Sequence, residues 1–427
     1  MRKLLVCAMM TAGSLYAATM NWGVFEGEYG LGSNWTEGSV PETDDYGFIA
    51  NGGIATLSDG TYSCQRVDIG NGGNNGTLRQ TGGSLTFSNY PSIGYAGATG
   101  TYLLSGGTLT VNSILRIGRH GQGIFRITGG TVTVSNNTEM GRYVEANDNE
   151  LTITDGIYNQ TGGSLVVGWE GSATATVSGN GTIVVEPAAS ITIANAAATG
   201  TLRLSTGGTI VAPAISLPNA GGTFVLDGGT LRVNKNSPSD TPFINGTGTV
   251  TISNNGAFID TQEFSAMVKS DISSQESGGS LTKSGSGTLT LAGNNTYGGT
   301  TTVSEGTLAV RTPDSLPGYD QPGRVIIAAG AFISPGVGWT AAQIDTLRAN
   351  VTYLGSGEVP ILSNCEYDTS AGDLTVAEDL NLSVPLVKSG ANMLALTGHN
   401  TFVEPALVRE GTLQADFGQG LDADFPV

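Results

Sequence analysis

The sequence predicts an all-β protein that folds as a parallel β-helix, a solenoid with about 23–27 residues in each coil. An aliphatic residue recurs at this spacing through the middle of the chain, in the series Ile69, Ile93, Ile117, Met140, Val167, Ile193, Leu217 and Ile244. A repeat of this length cannot bury its apolar side on its own, so neighbouring units must stack. Glycine is also abundant, at 65 of 427 residues, which is typical of a chain with many sharp turns.

Each unit has the same internal order, which the unit beginning at Gly70 illustrates. A glycine-rich corner leads into a short alternating run at 77–79, a Gly-Gly corner follows at 82–83, and a second alternating run occupies 84–87. A third run, such as Val67-Asp68-Ile69, ends on the recurring aliphatic residue. Alternation with a period of two predicts half-buried strands. We therefore expect three strands per coil and one continuous buried stripe of aliphatic side chains.

Residues 1–17 have the composition of a secretion signal peptide. Arg2 and Lys3 precede a short apolar stretch at 4–15, and Ala17 offers a small residue for cleavage. This stretch is too short to span a membrane, and no other reaches about 18 apolar residues, so we expect no membrane span in the mature chain. The sequence thus predicts a secreted or cell-surface protein. In residues 18–60 we expect the opening strands and a cap, with Trp22 and Trp35 covering the first coil.

The mature chain is strongly acidic and poor in cysteine. Without residues 1–17 it keeps 16 of the 18 Lys and Arg against 36 Asp and Glu, a formal charge of −20. Such a charge argues against nucleic acid and anionic membranes as partners. Cys64 and Cys365 would lie roughly 60 Å apart at ~4.8 Å per coil, so we expect no disulfide between them.

The chain changes character near residue 281, where a 30-residue motif begins and then recurs at an offset of 105. The shared residues include Lys283-Ser284-Gly285 and Lys388-Ser389-Gly390, Asn295-Thr296 and Asn400-Thr401, and Glu305-Gly306-Thr307-Leu308 and Glu410-Gly411-Thr412-Leu413. This pattern resembles the autotransporter-associated β-strand repeat of large exported bacterial proteins. The second copy departs from it where Val403-Glu404-Pro405 replaces Gly298-Gly299-Thr300.

The resemblance implies a right-handed β-helix that is secreted from, or displayed on, a Gram-negative-type bacterium, and it implies no enzymatic activity. It divides the chain into Gly-Gly-Thr-rich coils at 61–280 and a repeat region at 281–427, which we expect to be truncated at its C-terminal end. Between the motif copies, Thr340 and Gln343 form a capping-box pattern. That pattern predicts one short helix near 340–349.

Catalytic chemistry finds little support in the sequence. His120 and His399 are the only histidines, they lie in different regions, and neither has metal-ligand spacing. We therefore expect no catalytic residues, no cofactor and no metal, and we expect both histidines to be turn or corner residues. The densest charged cluster consists of Glu139, Arg142, Glu145, Asp148, Glu150 and Asp155. It leaves open a calcium site or an acid–base pair, although a solvated acidic loop is the simpler interpretation.

A candidate binding strip follows the aliphatic column. In stacked coils Tyr95, Arg119, Arg142 and Trp169 would lie one above another and could bind a glycan by stacking and charge-assisted hydrogen bonds. The alternative is a set of corner residues that only face solvent. The sequence thus favours a non-enzymatic passenger segment, adhesin-like or surface-structural, with glycans or cell-surface polymers as partners. A polysaccharide lyase or hydrolase, and an inert spacer presenting a missing domain, remain as alternatives, and the sequence does not indicate the oligomeric state.

Overall fold

The computed structural model shows a parallel β-solenoid. It describes residues 17–237, 241–275, 278–336, 338–357, 359–361, 365–369, 373–376, 381–382, 386–402, 406–408 and 410–415. The predicted signal peptide lies outside the described residues, apart from Ala17. Every pairing between the named strands is parallel. The coils at 54–291 contribute a strand to each of three faces, whereas the described coils at 301–353 contribute strands to only two, so the expected three strands per coil holds for the first part alone.

Face 1 contains the aliphatic column and is a continuous 14-stranded sheet. Its strands are Thr19–Asn21, Tyr46–Ile49, Arg66–Ile69, Ser92–Ile93, Leu115–Ile117, Thr138–Met140, Ser164–Val167, Ser190–Ile193, Ile215–Leu217, Ile244–Gly246, Ala266–Val268, Thr288–Leu291, Thr307–Val310 and Phe332–Pro335.

Faces 2 and 3 are joined by two long strands, Gln122–Val134 and Asn149–Gln160, whose first halves belong to face 2 and second halves to face 3. The other strands of face 2 are Glu26–Glu28, Ile54–Leu57, Gly76–Gln80, Thr99–Leu104, Ala173–Val177, Gly200–Ser205, Gly222–Asp227, Thr249–Ile252 and Ile272–Ser274. The other strands of face 3 are Thr61–Cys64, Ser84–Phe87, Thr108–Val111, Thr182–Val185, Thr209–Ala212, Thr230–Val233, Ala257–Asp260, Leu281–Ser284, Thr301–Val303, Val325–Ile327 and Thr352–Tyr353.

The predicted buried stripe is confirmed on face 1. Ile69 pairs with Ile93, Ile93 with Ile117, and Ile117 with Met140. All four side chains are at most 1% exposed. Each inward aliphatic side chain contributes roughly 1.5–3 kcal/mol on burial, and stacking turns these separate contributions into one continuous core.

Coil length varies more than the sequence predicts. Paired residues of face 1 lie 23–27 positions apart between Ile69 and Ile193, as expected. The spacing shrinks to 19 positions between Leu291 and Val310, and it grows to 29 between Ile215 and Ile244. The predicted range of 23–27 residues per coil is therefore too narrow. The loops at the corners differ in length from coil to coil, while the strands remain paired.

The predicted stacking of Ile244 on Leu217 is wrong by two residues. Leu217 pairs with Gly246, and Ile244 pairs with Ile215. A shift of two residues keeps the same side of the strand facing inward. Ile244 is consequently still buried, and the core continues through this longest coil.

Glycine closes the corner between face 1 and face 2, and Gly94 shows why. Its φ is +80°, and a Cβ atom placed there would lie 2.0 Å from the backbone oxygen of Gln122 in the next coil. Its backbone N–H donates to Ile69 O at 2.8 Å. At Gly94 the close approach of the next coil thus requires a residue without a side chain.

The N-terminal end of the core is covered by aromatic side chains, as predicted for Trp22 and Trp35. Their rings meet edge to face with centroids 5.3 Å apart, and both are at most 3% exposed. Trp35 Nε1 donates to Tyr29 O at 2.9 Å, and the Tyr29 ring packs against Trp35 at 5.2 Å. Cys64, nearby on face 3, is a buried free thiol, and burial raises its pKa to about 12.

The predicted helix is confirmed at Ala341–Asn350 and is the single α-helix of the described residues. Thr340 Oγ1 accepts from the Gln343 N–H, and the Gln343 side chain accepts from the Thr340 N–H, which completes the capping box. Leu347 anchors the helix to the solenoid and is fully buried. Two short 3₁₀ turns lie at Gly32–Asn34 and Pro313–Ser315. In the described part of the chain no helix has the length and apolarity to cross a membrane.

The C-terminal part repeats the three-sided arrangement in three small parallel sheets. Their strands are Cys365–Asp368, Leu386–Ser389 and Leu407–Val408; Leu374–Val376, Met393–Leu396 and Thr412–Ala415; and Asn381–Leu382 and Thr401–Phe402. Leu386, Leu394 and Leu396 form a hydrophobic cluster of their own. The second motif copy therefore continues the solenoid pattern with a small core of its own, whereas the first copy packs in the main core.

Candidate functional site

The predicted strip forms two cation–π pairs at the corner after face 1. The Arg119 guanidinium lies 4.5 Å from the centre of the Tyr95 ring, and that of Arg142 lies 5.0 Å from Trp169. Backbone hydrogen bonds stack the first three residues in register, with Arg119 N–H donating to Gly94 O and Arg142 N–H to Gly118 O, both at 2.8 Å. The structure thus brings together the residues that the coil period predicted.

The strip slips by one residue at its last position. The N–H of Glu170, not that of Trp169, donates to Gly141 O, at 3.0 Å. Glu170 therefore takes the place above Arg142 and accepts from Arg142 Nη1 at 3.1 Å. The reason is the longer coil between Arg142 and Trp169, which adds residues at this corner. The Arg142 guanidinium still lies over the Trp169 ring.

Further arginine and aromatic side chains, which the sequence reasoning missed, extend the strip across the outside of face 1. The Arg66 guanidinium lies 4.9 Å from the Tyr46 ring and 5.7 Å from Tyr90, and Arg116 lies 4.6 Å from Tyr90. The available signal was their outward position in alternating runs such as Leu115-Arg116-Ile117. We call the whole set the arginine–aromatic layer: Tyr46, Arg66, Tyr90, Tyr95, Arg116, Arg119, Arg142, Tyr143 and Trp169.

Two carboxylates lie beneath this layer. Asp68 is fully buried, accepts from the Ser92 N–H at 3.1 Å, and has Arg66 Nε 3.4 Å away. Burial raises the pKa of Asp68 above its ordinary value, and the charge of Arg66 opposes that shift. Glu139 is 4% exposed and lies 3.1 Å from the Nε atoms of both Arg116 and Arg142.

Buried polar atoms without a hydrogen-bond partner concentrate on this face. They are Arg66 Nε, Asp68 Oδ2, Ser92 Oγ, Arg116 Nη1, Arg119 Nε and Arg142 Nε. Three of them approach an opposite charge but miss hydrogen-bond geometry. A buried polar atom left unpaired costs about 1–3 kcal/mol. Six of the eleven such atoms in the described residues lie in this layer or directly beneath it, so the layer is the best candidate site there.

His120 lies at the predicted corner, but its ring is engaged by neighbours. It stacks on Tyr143 with centroids 4.0 Å apart, and its Nδ1 pairs with the Glu145 carboxylate. The hydrogen bond from His120 lowers the pKa of Glu145. No metal-binding group of three His, Cys, Asp or Glu side chains occurs among the residues that the structure describes.

The charged cluster predicted around the coil that joins Met140 to Val167 is dispersed over two faces. Glu139 lies on face 1, whereas Glu150 lies on face 2 and makes two 3.0 Å hydrogen bonds with Arg126. Those bonds lower the pKa of Glu150. Carboxylates committed to arginine in this way are not arranged as the acid–base pair or calcium site that the sequence left open.

The lengthened coil also creates a groove beside Trp169. The groove has a volume of about 430 Å³ and is lined by Val144, Asn147, Glu170–Ser172 and Ala196–Thr199. Val144 is 69% exposed on its rim. Because Glu170 both lines the groove and pairs with Arg142, the groove is continuous with the end of the arginine–aromatic layer.

A second unusual site lies in the repeat region, at Lys283. This residue occupies an inward position of face 3, between Ile259 and Val303 of the neighbouring coils, and it is fully buried. Its Nζ donates to Thr261 Oγ1 and to the carbonyl oxygens of Ser284, Gly285 and Glu305, at 2.6–3.0 Å. Burial lowers the pKa of Lys283 to about 8.

Lys388, the matching residue of the second motif copy, has the same environment. It is fully buried, and its Nζ donates to Gly390 O at 2.5 Å and to Glu410 O at 2.8 Å. The motif was visible in the sequence, but the burial of its lysine was not. In both copies the ammonium joins the corner carbonyls of two successive coils, so this site is structural.

The comparisons with known proteins agree with this architecture. Residues 281–310 and 386–415 match the passenger-associated-transport-repeat family, which confirms the resemblance drawn from the motif copies. No curated protein and no solved structure matches the chain.

Proposed function

We propose that this chain is an exported, non-enzymatic passenger segment that binds glycans along its arginine–aromatic layer. Two passenger-associated transport repeats support export, to the cell surface or into the medium. The predicted signal peptide at 1–17 is consistent with the same route. The adhesin-like role rests on one observation, the partly exposed row of aromatic rings and guanidinium groups on face 1.

The geometry of the layer suits a sugar polymer. Sugar rings pack on aromatic faces, and their hydroxyl groups pair with guanidinium donors. Successive coils repeat these groups at ~4.8 Å, so a chain lying along the solenoid axis meets similar contacts at each coil. The groove beside Trp169 would receive a substituent or the end of such a chain.

The proposal is tested by replacing Tyr95 and Trp169 with alanine in the full-length chain. The double variant should lose at least about tenfold in affinity on a glycan array, because each ring supplies both a stacking surface and the support of an arginine. Phe258→Ala is the matched control, since Phe258 is an aromatic residue on face 3 that is 40% exposed and lies outside the layer. Circular dichroism should show the same β-signal in all three proteins.

Two outcomes would contradict the proposal. One is unchanged glycan binding by the Tyr95 and Trp169 variant, and the other is an equal loss in Phe258→Ala. Incubation with pectin and alginate distinguishes glycan binding from the main alternative, an enzyme. Release of reducing ends or unsaturated products would indicate a polysaccharide lyase or hydrolase. Absence of binding to every glycan, without turnover, would favour a spacer.

A further inference from the structure

We infer that Arg119 is the anchor for an acidic sugar, one that carries a carboxylate or a sulfate group, on the arginine–aromatic layer. The inference deepens the proposed glycan-binding function and rests on it. It assigns the charge of the ligand and the residue that recognises this charge.

The other three arginines of the layer are already neutralised by the protein. Each of them lies within ion-pair distance of at least one carboxylate, and one carboxylate serves two arginines. The pairs are Arg66 with Asp68 at 3.4 Å, Arg116 with Glu139 at 3.1 Å, and Arg142 with Glu139 and Glu170, both at 3.1 Å.

Arg119 differs from them. Within the described chain its guanidinium makes no ion pair and no hydrogen bond, and its Nε is buried without an acceptor. Its guanidinium packs on the face of the Tyr95 ring, at 4.5 Å. The charge of Arg119 acts on Asp68, whose pKa it lowers against the effect of burial. The residue is therefore held in place by a ring and left with an unused set of donors.

This arrangement selects an anion attached to a ring. A planar guanidinium binds a carboxylate or sulfate through two parallel hydrogen bonds, and the adjacent Tyr95 ring offers a surface for the sugar that carries the group. The nearby carboxylates Asp68, Glu139 and Glu170 would repel a densely charged polyanion. Because charge effects fade within about 8–10 Å at physiological salt, a polymer with spaced charges meets Arg119 without that penalty.

The test compares three polymers on the full-length chain by isothermal titration calorimetry. Partly methyl-esterified polygalacturonate supplies spaced carboxylates, dextran of low sulfate content supplies spaced sulfates, and unmodified dextran is neutral. The expected result is binding of at least one acidic polymer at least about tenfold tighter than dextran. Arg119→Gln should remove this difference, while Arg119→Lys should keep part of it, because lysine retains the charge but not the paired donors.

Arg79→Gln is the matched control. Arg79 lies on face 2, is 40% exposed in its side chain and pairs with Glu26. Its replacement should leave the preference for acidic polymers over dextran unchanged. Wild-type affinity of Arg119→Gln for the acidic polymers, or an equal loss in Arg79→Gln, would overturn the assignment. Equal binding of neutral and acidic polymers would overturn it while leaving the glycan-binding function in place. Failure of the wild type to bind any glycan would overturn both.

Discussion

The central coils and the repeat region secure two corners of the solenoid by different means, the central coils between faces 1 and 2 and the repeat region between faces 3 and 1. In the central coils a glycine such as Gly94 lets the backbone of one coil approach the next, and the corner N–H bonds directly to a neighbouring carbonyl. In the repeat region the buried ammonium of Lys283 donates hydrogen bonds to corner carbonyl oxygens of two successive coils. The first arrangement depends on the absence of a side chain, and the second adds one long side chain in the core to glycine corners of its own, at Gly285 and Gly306.

This difference has a consequence for stability. A glycine corner carries no charge and is independent of pH. A lysine corner places an ammonium where every neighbour in the column, such as Ile259 and Val303, is apolar. Such a group must be either fully hydrogen-bonded or neutral, so the repeat region can respond to pH at a position where the central coils cannot.

The largest effect is expected from Gly94→Ala. The left-handed backbone costs an alanine roughly 1–2 kcal/mol, and the Cβ atom would overlap the Gln122 carbonyl oxygen, 2.0 Å away. Together these effects should lower the free energy of unfolding by about 4 kcal/mol, in the upper range for single substitutions. Denaturant titration followed by circular dichroism measures the change.

Gly97→Ala is the matched control for this prediction. Gly97 has nearly the same φ, +79°, but a Cβ atom there meets nothing within 4 Å. The Gly97→Ala variant should lose only about 1–2 kcal/mol in the free energy of unfolding. Ala194 is the reciprocal case, because it adopts φ +57° where the first five coils have glycine, and Ala194→Gly should stabilise by up to about 1 kcal/mol. Equal losses in the two glycine variants would show that coil proximity does not decide the residue at this corner.

The next largest effect is expected from Lys283→Met, which keeps the apolar stem and removes the ammonium. The carbonyls of Ser284, Gly285 and Glu305 would lose their common donor, and an unpaired buried group costs about 1–3 kcal/mol. We expect a loss of roughly 3 kcal/mol in the free energy of unfolding at pH 7. Lys269→Met, at an exposed lysine, should change it by less than about 0.5 kcal/mol.

The pH dependence of the same pair of proteins gives an independent readout. The folded-state pKa of Lys283 is about 8, below its ordinary value of 10.5, so the unfolded chain binds more protons between these values. Stability of the wild type relative to Lys283→Met should therefore rise as the pH increases from about 8 to 10.5. A difference that stays flat or falls over this range would mean that the lysine is not desolvated in the folded protein.

Much of the fold could be predicted because periodicity is a local property of the sequence. The column from Ile69 to Met140 follows from spacing alone, and so does the capping box at Thr340. The two-residue offset at Ile244 could not be predicted, because it depends on how many residues the preceding corner loop absorbs. A search for glycine after each column residue also misses Ala194, because this residue keeps the left-handed backbone conformation without being glycine.

The candidate site was predictable only in part. Tyr95, Arg119 and Arg142 share one position in the repeat, so the coil period brings them together. Arg66 and Tyr90 also share one position, three residues before Ile69 and Ile93, and Tyr46 pairs with Arg66, so the same period could have found them. Arg116 lies at another position and reaches the Tyr90 ring across neighbouring coils. The burial of Lys283 runs against the usual exposure of lysine, and only the surrounding carbonyls explain it.

The most direct test of the central claim, that successive coils stack in register, is a cysteine cross-link between outward positions of face 3. Thr86 and Thr110 are paired across neighbouring coils, which places their Cα atoms within the ~4.4–6.8 Å that a disulfide spans. In a chain with Cys64 and Cys365 replaced by serine, Thr86→Cys with Thr110→Cys should form an intramolecular disulfide, identified by peptide mass spectrometry. The pair Thr86→Cys with Thr108→Cys, displaced by two residues, should not. Cross-linking of the displaced pair, or of neither pair, would contradict the stacked register.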